Sequence, residues 1–266
     1  MVRSMDAAES RGVARYAPRL SFLLLLVSLI LLALAPIGYR AQLWHFRTSF
    51  FYFMTYSAFA AMAASVVAIL SLIWFGRMSG RGRLVTILSL LVGGFVIYWT
   101  VQFYAKVYPV PGLEGLRLPI IHDITTDTAN PPEFIAVLPA RQAEPESNST
   151  QYGGPELAAQ QQSGYPDIAP LKLALPPAEA FTRALETAKS RSGWTVVASD
   201  PATGRIEASQ SSFFFGFTDD MVIRVSTEGS GSRVDMRSES RQGRSDFGVN
   251  AARIRSYLAA LKERAG

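Results

Sequence analysis

The first 105 residues alternate between long uncharged apolar runs and short segments that carry arginine. The three runs occupy residues 20–39, 48–76 and 84–105. Each is as long as the roughly 20 helical residues that a bilayer core requires. Lipid offers no hydrogen-bond partners to an open backbone, so a run of this kind crosses a membrane as a helix. The pattern therefore predicts three transmembrane helices.

A different pattern begins near residue 176 and predicts a soluble domain. Apolar side chains recur at helical spacing up to Gly193, alternate as in β-strands over 194–240, and return to helical spacing over 254–261. A helix, four antiparallel strands and a helix in this order are typical of an α+β layer. The predicted fold class is α+β. Three transmembrane α-helices are followed, within residues 106–266, by a small antiparallel-sheet domain with two flanking helices.

Three stretches carry their own expectations. The Pro-Val-Pro-Gly sequence at 109–112 should end the third helix, and the Pro-, Gln- and Gly-rich residues 139–170 are expected to be mostly loop. Residues 205–217 are predicted as one strand with a bulge at Gly216. Because successive strand side chains point to opposite faces, the phenylalanines at 213–217 predict a core on both faces of the sheet. An open face would instead dock onto the bilayer or a partner.

The distribution of arginine predicts how the chain is oriented. Four arginines precede the first apolar run and three lie between the second and third runs, whereas two lie between the first and second. Basic loops stay in the cytoplasm, so residues 1–19 are expected to be a cytoplasmic tail and 106–266 to be extracytoplasmic, on an inner (plasma) membrane. An alternative is that the first run is a cleaved signal peptide, since Ala33-Leu34-Ala35 resembles a cleavage site. Residues 106–266 lie outside the cytoplasm in either case.

Small side chains in the second run predict close helix packing. Ser57, Ala61 and Ser65 recur every four residues, which favours a compact three-helix bundle or a homodimer through this face. No ionisable side chain lies inside any of the three runs. An ion or proton path usually needs such groups, so an anchor or scaffold is favoured over a transporter.

Composition narrows the chemistry further. The chain has no cysteine and two histidines, His45 and His122, so thiolate chemistry is excluded and any histidine-based catalysis in the domain depends on His122. The sequence pI near 9.6 comes from the membrane region, because acidic side chains slightly outnumber basic ones in residues 106–266. The domain therefore gives no electrostatic reason to bind nucleic acid. No cofactor is expected.

The first candidate site combines His122 with nearby carboxylates. Imidazole and carboxylate groups can hold a divalent ion, or His122 can act as a general base oriented by an acid. The plainer interpretation is that the acids at 123 and 127 bond their own backbone in a turn, so no metal is expected. The candidate residues are His122, Asp123, Asp127, Asp219 and Asp220.

The second candidate site lies on and after the strand 233–241. Its odd positions alternate in sign and predict a solvated, self-neutralising face. Alternatively, arginines beside a helix N-terminus near Asp246 can bind an anionic envelope ligand. Against this, Asp246 as a helix cap would occupy the same N–H donors. The candidate ligand-binding residues are Asp219, Asp220, Arg237, Arg241, Arg244, Asn250 and Arg253.

Several short motifs together resemble a known family. They are IHDITTDT at 121–128, PP at 131–132, YGG at 152–154, YPD at 165–167, FTDD at 217–220, RSESR at 237–241 and SDFGVNAARI at 245–254. In this order they are similar to the family catalogued as domain of unknown function 1499. The resemblance implies a membrane-tethered or exported small domain and brings no reaction.

These observations favour a membrane-tethered binding or scaffolding module in the cell envelope over an enzyme. Its expected partners are the lipid bilayer and an envelope protein or anionic envelope ligand. The alternative is an envelope hydrolase or transferase that uses His122 with Asp123 or Asp127.

Overall fold

The computed structural model describes residues 7–74, 80–106 and 118–266, with the backbone alone at 7–15 and 74. The chain divides into two compact units, Met1–Leu116 and Arg117–Gly266. The helix-ending sequence at 109–112 and Arg77 lie outside the described residues.

The first unit consists of long apolar helices. They are α1 (Ala7–Arg40), the short α2 (Phe46–Thr48), a π-helical turn (Ser49–Met54), α3 (Thr55–Trp74) and α4 (Gly80–Ala105). Tyr16–Arg40, Phe46–Ile73 and Gly80–Ala105 are long and apolar enough to cross a membrane, which confirms the three predicted spans. Helix α1 starts earlier than its apolar run, because alanine, arginine and glutamate sustain a helix beyond the apolar residues.

Small and hydroxyl-bearing side chains hold the three long helices together. The hydroxyls of Ser28 in α1 and Ser57 in α3 lie 3.1 Å apart, and Ser21 Oγ donates to the carbonyl of Ala64 at 3.1 Å. A Cβ added to Gly93 of α4 would meet Ser65 Oγ at 2.6 Å. The small-residue face of α3 is therefore occupied by α1 and α4 of the same chain.

The second unit is built on an antiparallel sheet of six strands in the order β1-β6-β5-β4-β3, with β2 also paired to β6. The strands are β1 (Asp123–Thr125), β2 (Leu171–Leu173), β3 (Trp194–Asp200), β4 (Arg205–Ser211), β5 (Thr218–Glu228) and β6 (Gly231–Ser240). The four predicted strands correspond to β3–β6. Strands β1 and β2 are each three residues long and add to the free edge of β6.

One face of the sheet forms the hydrophobic core with two helices, α7 (Pro177–Ser190) and α8 (Val249–Ala265). Alternate strand residues such as Ile206, Ile223 and Met236 are fully buried there. The Tyr257 ring of α8 stacks on Trp194, with centroids 5.4 Å apart, and its hydroxyl donates to Ala184 O at 2.8 Å. These contacts confirm the predicted sheet with two flanking helices.

The expected loop at 139–170 contains two helices, α5 (Leu138–Ala143) and α6 (Gly154–Gly164), so that expectation is wrong over these residues. Neither helix shows a strong apolar stripe, and polar side-chain bonds join both of them to the sheet. Arg141 of α5 pairs with strand carboxylates, and Gln161 of α6 bonds Thr125. Such bonds leave no periodic pattern in the sequence.

Candidate functional site

The sheet face opposite the hydrophobic core carries a buried cluster of charges. As predicted, the odd positions of β6 point to this face, but the expected solvated surface is wrong, since Arg237 is 2% exposed and Glu239 is fully buried. Residues 126–152 cross over this face, and Phe134 and Val137 pack on Val222 of β5. The charge cluster comprises Asp123, Arg141, Asp220, Arg237, Glu239 and Arg241.

Arg237 joins the sheet to the segment that covers it. Its Nε and Nη2 donate to the two carboxylate oxygens of Asp123 at 2.9 and 2.8 Å, and Nη2 also donates to Thr150 O at 2.8 Å. The guanidinium lies 4.9 Å from the centroid of the Phe134 ring. Bidentate pairing of this kind is the strong form of an arginine–carboxylate contact. Both oxygens of Asp123 are therefore already engaged.

Arg141, which the sequence did not single out, completes the cluster from α5. It donates to Asp220 Oδ2 and to Glu239 Oε1, each at 2.9 Å. Arg241 approaches the same Asp220 carboxylate through Nε and Nη2 at 2.8 and 2.9 Å. The predicted site residues on this face are thus paired with other side chains of the domain.

Burial determines the electrostatics of the cluster. Desolvation raises the pKa of Glu239 to about 8, with a further upward push from the Asp123 charge and an opposing pull from Arg141 and Arg237. Desolvation alone would lower the pKa of Arg237, but the hydrogen bond and charge of Asp123 raise it overall. The raised pKa keeps Arg237 charged, whereas the Glu239 carboxyl group binds a proton at a higher pH than an exposed glutamate does.

His122 and Asp127 do not share a site. The imidazole of His122 is half-buried and hydrogen-bonds the backbone of Arg244; burial lowers its pKa, which the Asp123 charge opposes. Asp127 Oδ2 binds Arg224 and Arg233 at 3.0 Å each, toward the start of β6. Within residues 7–74, 80–106 and 118–266, no three His, Cys, Asp or Glu side chains form a group that can hold a metal ion.

The two aspartates of β5 lie on different faces, because successive strand residues alternate. Asp220 belongs to the charge cluster, whereas Asp219 receives Arg253 Nη2 of α8 at 2.6 Å on the core side. Arg253 Nη1 also donates to Ser238 Oγ at 3.0 Å, and Asn250 Nδ2 donates to the carbonyl of His122 at 2.9 Å. Apart from Arg244, the predicted ligand-binding residues are thus divided between two separate polar groups.

The start of α8 is capped from within the domain. The Asp246 carboxylate accepts from the N–H groups of Gly248 and Asn250 at 2.9 and 2.7 Å, as expected for a cap. Burial raises the pKa of Asp246, and these two bonds oppose the rise. Arg244 is exposed in the loop after β6. The donors that an anion would need are therefore bound to Asp246.

Glu207 is a second residue that sequence reasoning missed. Its buried carboxylate accepts from three successive backbone N–H groups, those of Ile135, Ala136 and Val137, at 3.0–3.1 Å. This arrangement places a negative charge at the start of α5, where the helix dipole favours one. The polar positions of β4 were visible in the sequence, but the segment they bind lies about 70 residues away.

A shallow cavity of about 220 Å³ opens beside Pro131, Thr203, Arg205 and Arg224. The two arginines face each other across β4 and β5. Arg205 Nε lies 3.2 Å from Glu207 Oε1, and Arg224 is bound by Asp127. Their charges are therefore largely neutralised within the domain.

The phenylalanine-rich stretch forms an exposed turn, so the predicted long strand and two-sided core are wrong. Strand β4 ends at Ser211, and residues 212–217, here called the aromatic turn, connect it to β5. Gly216 adopts a φ of +73°, which an L-residue rarely adopts and which reverses the chain. Phe213 and Phe214 are 86% and 70% exposed, the highest values among the large apolar side chains described in the domain.

Hydrogen bonds close the aromatic turn and fix its shape. The Ser212 N–H donates to Phe217 O at 2.8 Å, and the Gly216 N–H donates to Ser212 O at 2.9 Å. The Phe213 and Phe214 rings meet edge to face at 5.2 Å, while Phe215 and Phe217 stack at 5.2 Å. The turn therefore presents its aromatic side chains from a defined backbone.

Together these features define an α+β sheet domain that follows three candidate membrane spans and buries a charge cluster on one face of its sheet. The chain belongs to the family described as protein of unknown function (DUF1499), whose sequence model matches residues 123–261. No curated protein matches the chain. A solved structure, that of the protein TTHA0849 from Thermus thermophilus, is similar to 36% of this chain and 94% of its own, with 15% identity and a TM-score of 0.23.

Proposed function

We propose that this protein is a membrane-tethered binding or scaffolding module of the cell envelope. Its N-terminus lies in the cytoplasm and its sheet domain on the extracytoplasmic side of the inner membrane. Three candidate spans and the excess of arginine before the first and between the second and third runs support this orientation.

The observation that carries the binding role is the contrast between the charge cluster and the aromatic turn. The carboxylates and arginines that could act on a ligand are buried and paired with one another. Large exposed apolar side chains, in contrast, commonly mark a surface that contacts another molecule. Phe213 and Phe214 are such side chains on a closed turn, so the turn is the proposed contact surface.

The geometry gives less support to a hydrolase or transferase. A general base must reach the proton that it abstracts, and the proposed reaction also needs a carboxylate that is free to orient the imidazole. Both oxygens of Asp123 bind Arg237, and Asp127 binds Arg224 and Arg233. The imidazole of His122 hydrogen-bonds the backbone of Arg244.

The experiment is site-specific photocrosslinking of the full chain in its native membrane. A photoreactive phenylalanine analogue replaces Phe214, and the same analogue at exposed Ser230, in the turn between β5 and β6, is the matched control. The proposal predicts a discrete crosslinked product, protein or lipid, at position 214 and none at 230. The same products at both positions, or none at either, would contradict it.

A further inference from the structure

We propose that the aromatic turn inserts into the surface of the same bilayer that the three helices cross. This inference rests on the proposed function, because it names the partner of the surface proposed there. Three observations on the domain lead to lipid as that partner: where the chain enters the sheet, what the turn is made of, and how the domain is attached.

The topology of the sheet brings the entry of the chain and the aromatic turn to one end. Asp123, the first residue of β1, pairs with Glu239 near the end of β6. The turn joins the neighbouring ends of β4 and β5, where the Arg241 N–H donates to Thr218 O at 2.9 Å. Residues 118–122, which follow the connection from α4, therefore enter the domain at the end that bears the turn. The turns at 201–204 and 229–230 lie at the opposite end.

The composition of the aromatic turn fits lipid. Its sequence, Ser-Phe-Phe-Phe-Gly-Phe, contains no charged side chain, and two of its rings are largely exposed. A specific protein interface usually combines apolar anchors with a rim of complementary polar and charged groups. Phenylalanine is among the residues by which peripheral segments enter the boundary between headgroups and acyl chains, where no complementary charge is required.

Because the domain is covalently attached to α4, a weak contact is sufficient to keep the aromatic turn at the membrane. Residues 107–117 connect the domain to α4, whose apolar residues form one of the candidate spans. A contact between tethered groups forms at a high effective concentration and needs little affinity of its own. Two phenylalanines, too few to hold a free protein on a membrane, are then enough to keep this end of the sheet against it.

The test uses the full chain in nanodiscs of phosphatidylcholine, with and without bromine on the acyl chains. The chain has no cysteine, so Phe214→Cys and Ser230→Cys each give one site for an environment-sensitive fluorophore. The fluorophore at 214 should lose most of its emission in brominated lipid, and the one at 230 should keep it. Adding Phe213→Ser to the labelled Phe214→Cys chain should reduce the quenching. Positions 213, 214 and 230 are all exposed, so the variants are expected to fold.

Equal quenching at the two positions, or none at 214, would overturn the bilayer assignment. The crosslinking experiment then separates the two proposals. A protein crosslinked at 214 without lipid quenching leaves the binding module in place with a protein as its partner. If position 214 shows neither a crosslink nor quenching, both the bilayer proposal and the binding-module proposal are contradicted.

Discussion

At the scale of residues, the paired arginines connect the sheet to the segment that covers it. Arg237 contacts the ring of Phe134 and the carbonyls of Pro132 and Thr150 as well as Asp123. Removing one partner of a buried pair leaves the other charge without compensation, which costs more than the intact pair contributes. The charge cluster is therefore expected to be essential for stability and insensitive to added ligands.

The substitution Asp123→Asn tests this role. It leaves Arg237 buried without a full counter-charge, so the free energy of unfolding of the domain should fall by about 3–5 kcal/mol. Chemical unfolding of the full chain in detergent measures the loss. The matched control is Asp167→Asn, which breaks an exposed bidentate pair with Arg255 and should cost less than about 1 kcal/mol. Similar losses in the two variants would contradict a structural role for the buried pair.

Glu239 should make the stability of the domain depend on pH. Its pKa is raised from the ordinary value of 4.5 to about 8 in the folded state, so the folded domain binds more protons than the unfolded chain between these values. Stability from this group is fully present below pH 4.5 and is lost as the pH rises toward and through 8. Thermal unfolding measured from pH 4 to pH 9 should therefore show a flatter pH dependence in Glu239→Gln than in the natural chain. Exposed Glu133→Gln is the control and should leave the curve unchanged.

The charge cluster also shows where prediction from sequence stops. The alternating charges of β6 were visible, and their common face was predicted correctly. The burial of these charges was not predicted, because it depends on Arg141, which lies 79 and 98 residues from its two acidic partners. No local spacing in the sequence connects groups so far apart along the chain.

At the scale of elements, periodic apolar residues were sufficient to predict most helices and strands. Strands β3–β6 and helices α7 and α8 bury an apolar face, and this burial produces the pattern. The three spans were predicted instead from the length of their uncharged apolar runs. Helices α5 and α6 were missed because their polar bonds to the sheet leave no such pattern. The aromatic turn was mistaken for a strand because four phenylalanines resemble a buried strand when exposure is unknown.

Helix packing in the first unit gives a prediction at this scale. A side chain at Gly93 would press on Ser65 Oγ and on Ala61 O of α3, whereas a Cβ at Gly94 would have nothing within 4 Å. Gly93→Leu should therefore lower the free energy of unfolding of the helix bundle by about 1–3 kcal/mol, as overpacking typically does. Thermal unfolding in detergent, compared with Gly94→Leu, provides the measurement. Equal effects of the neighbouring substitutions would show that α3 and α4 do not approach at Gly93.

For the molecule as a whole, the proposed function requires a sheet domain that is held at a membrane and faces away from the cytoplasm. The family description names no activity, and the residues of the charge cluster pair with one another inside the domain. A role in the envelope follows only if the domain is on that side. The proposed function therefore depends on which side of the membrane the domain lies.

The most direct measurement is labelling of single cysteines in spheroplasts with an intact inner membrane, using a maleimide that cannot cross it. In the cysteine-free chain, Ser230→Cys reports on the domain, and Gly80→Cys, at the exposed first residue of α4, reports on the N-terminal end of the third span. In the proposed orientation, Ser230→Cys is labelled before the membrane is made permeable and Gly80→Cys only afterwards. Labelling in the reverse order would place the domain in the cytoplasm and contradict the proposed envelope function.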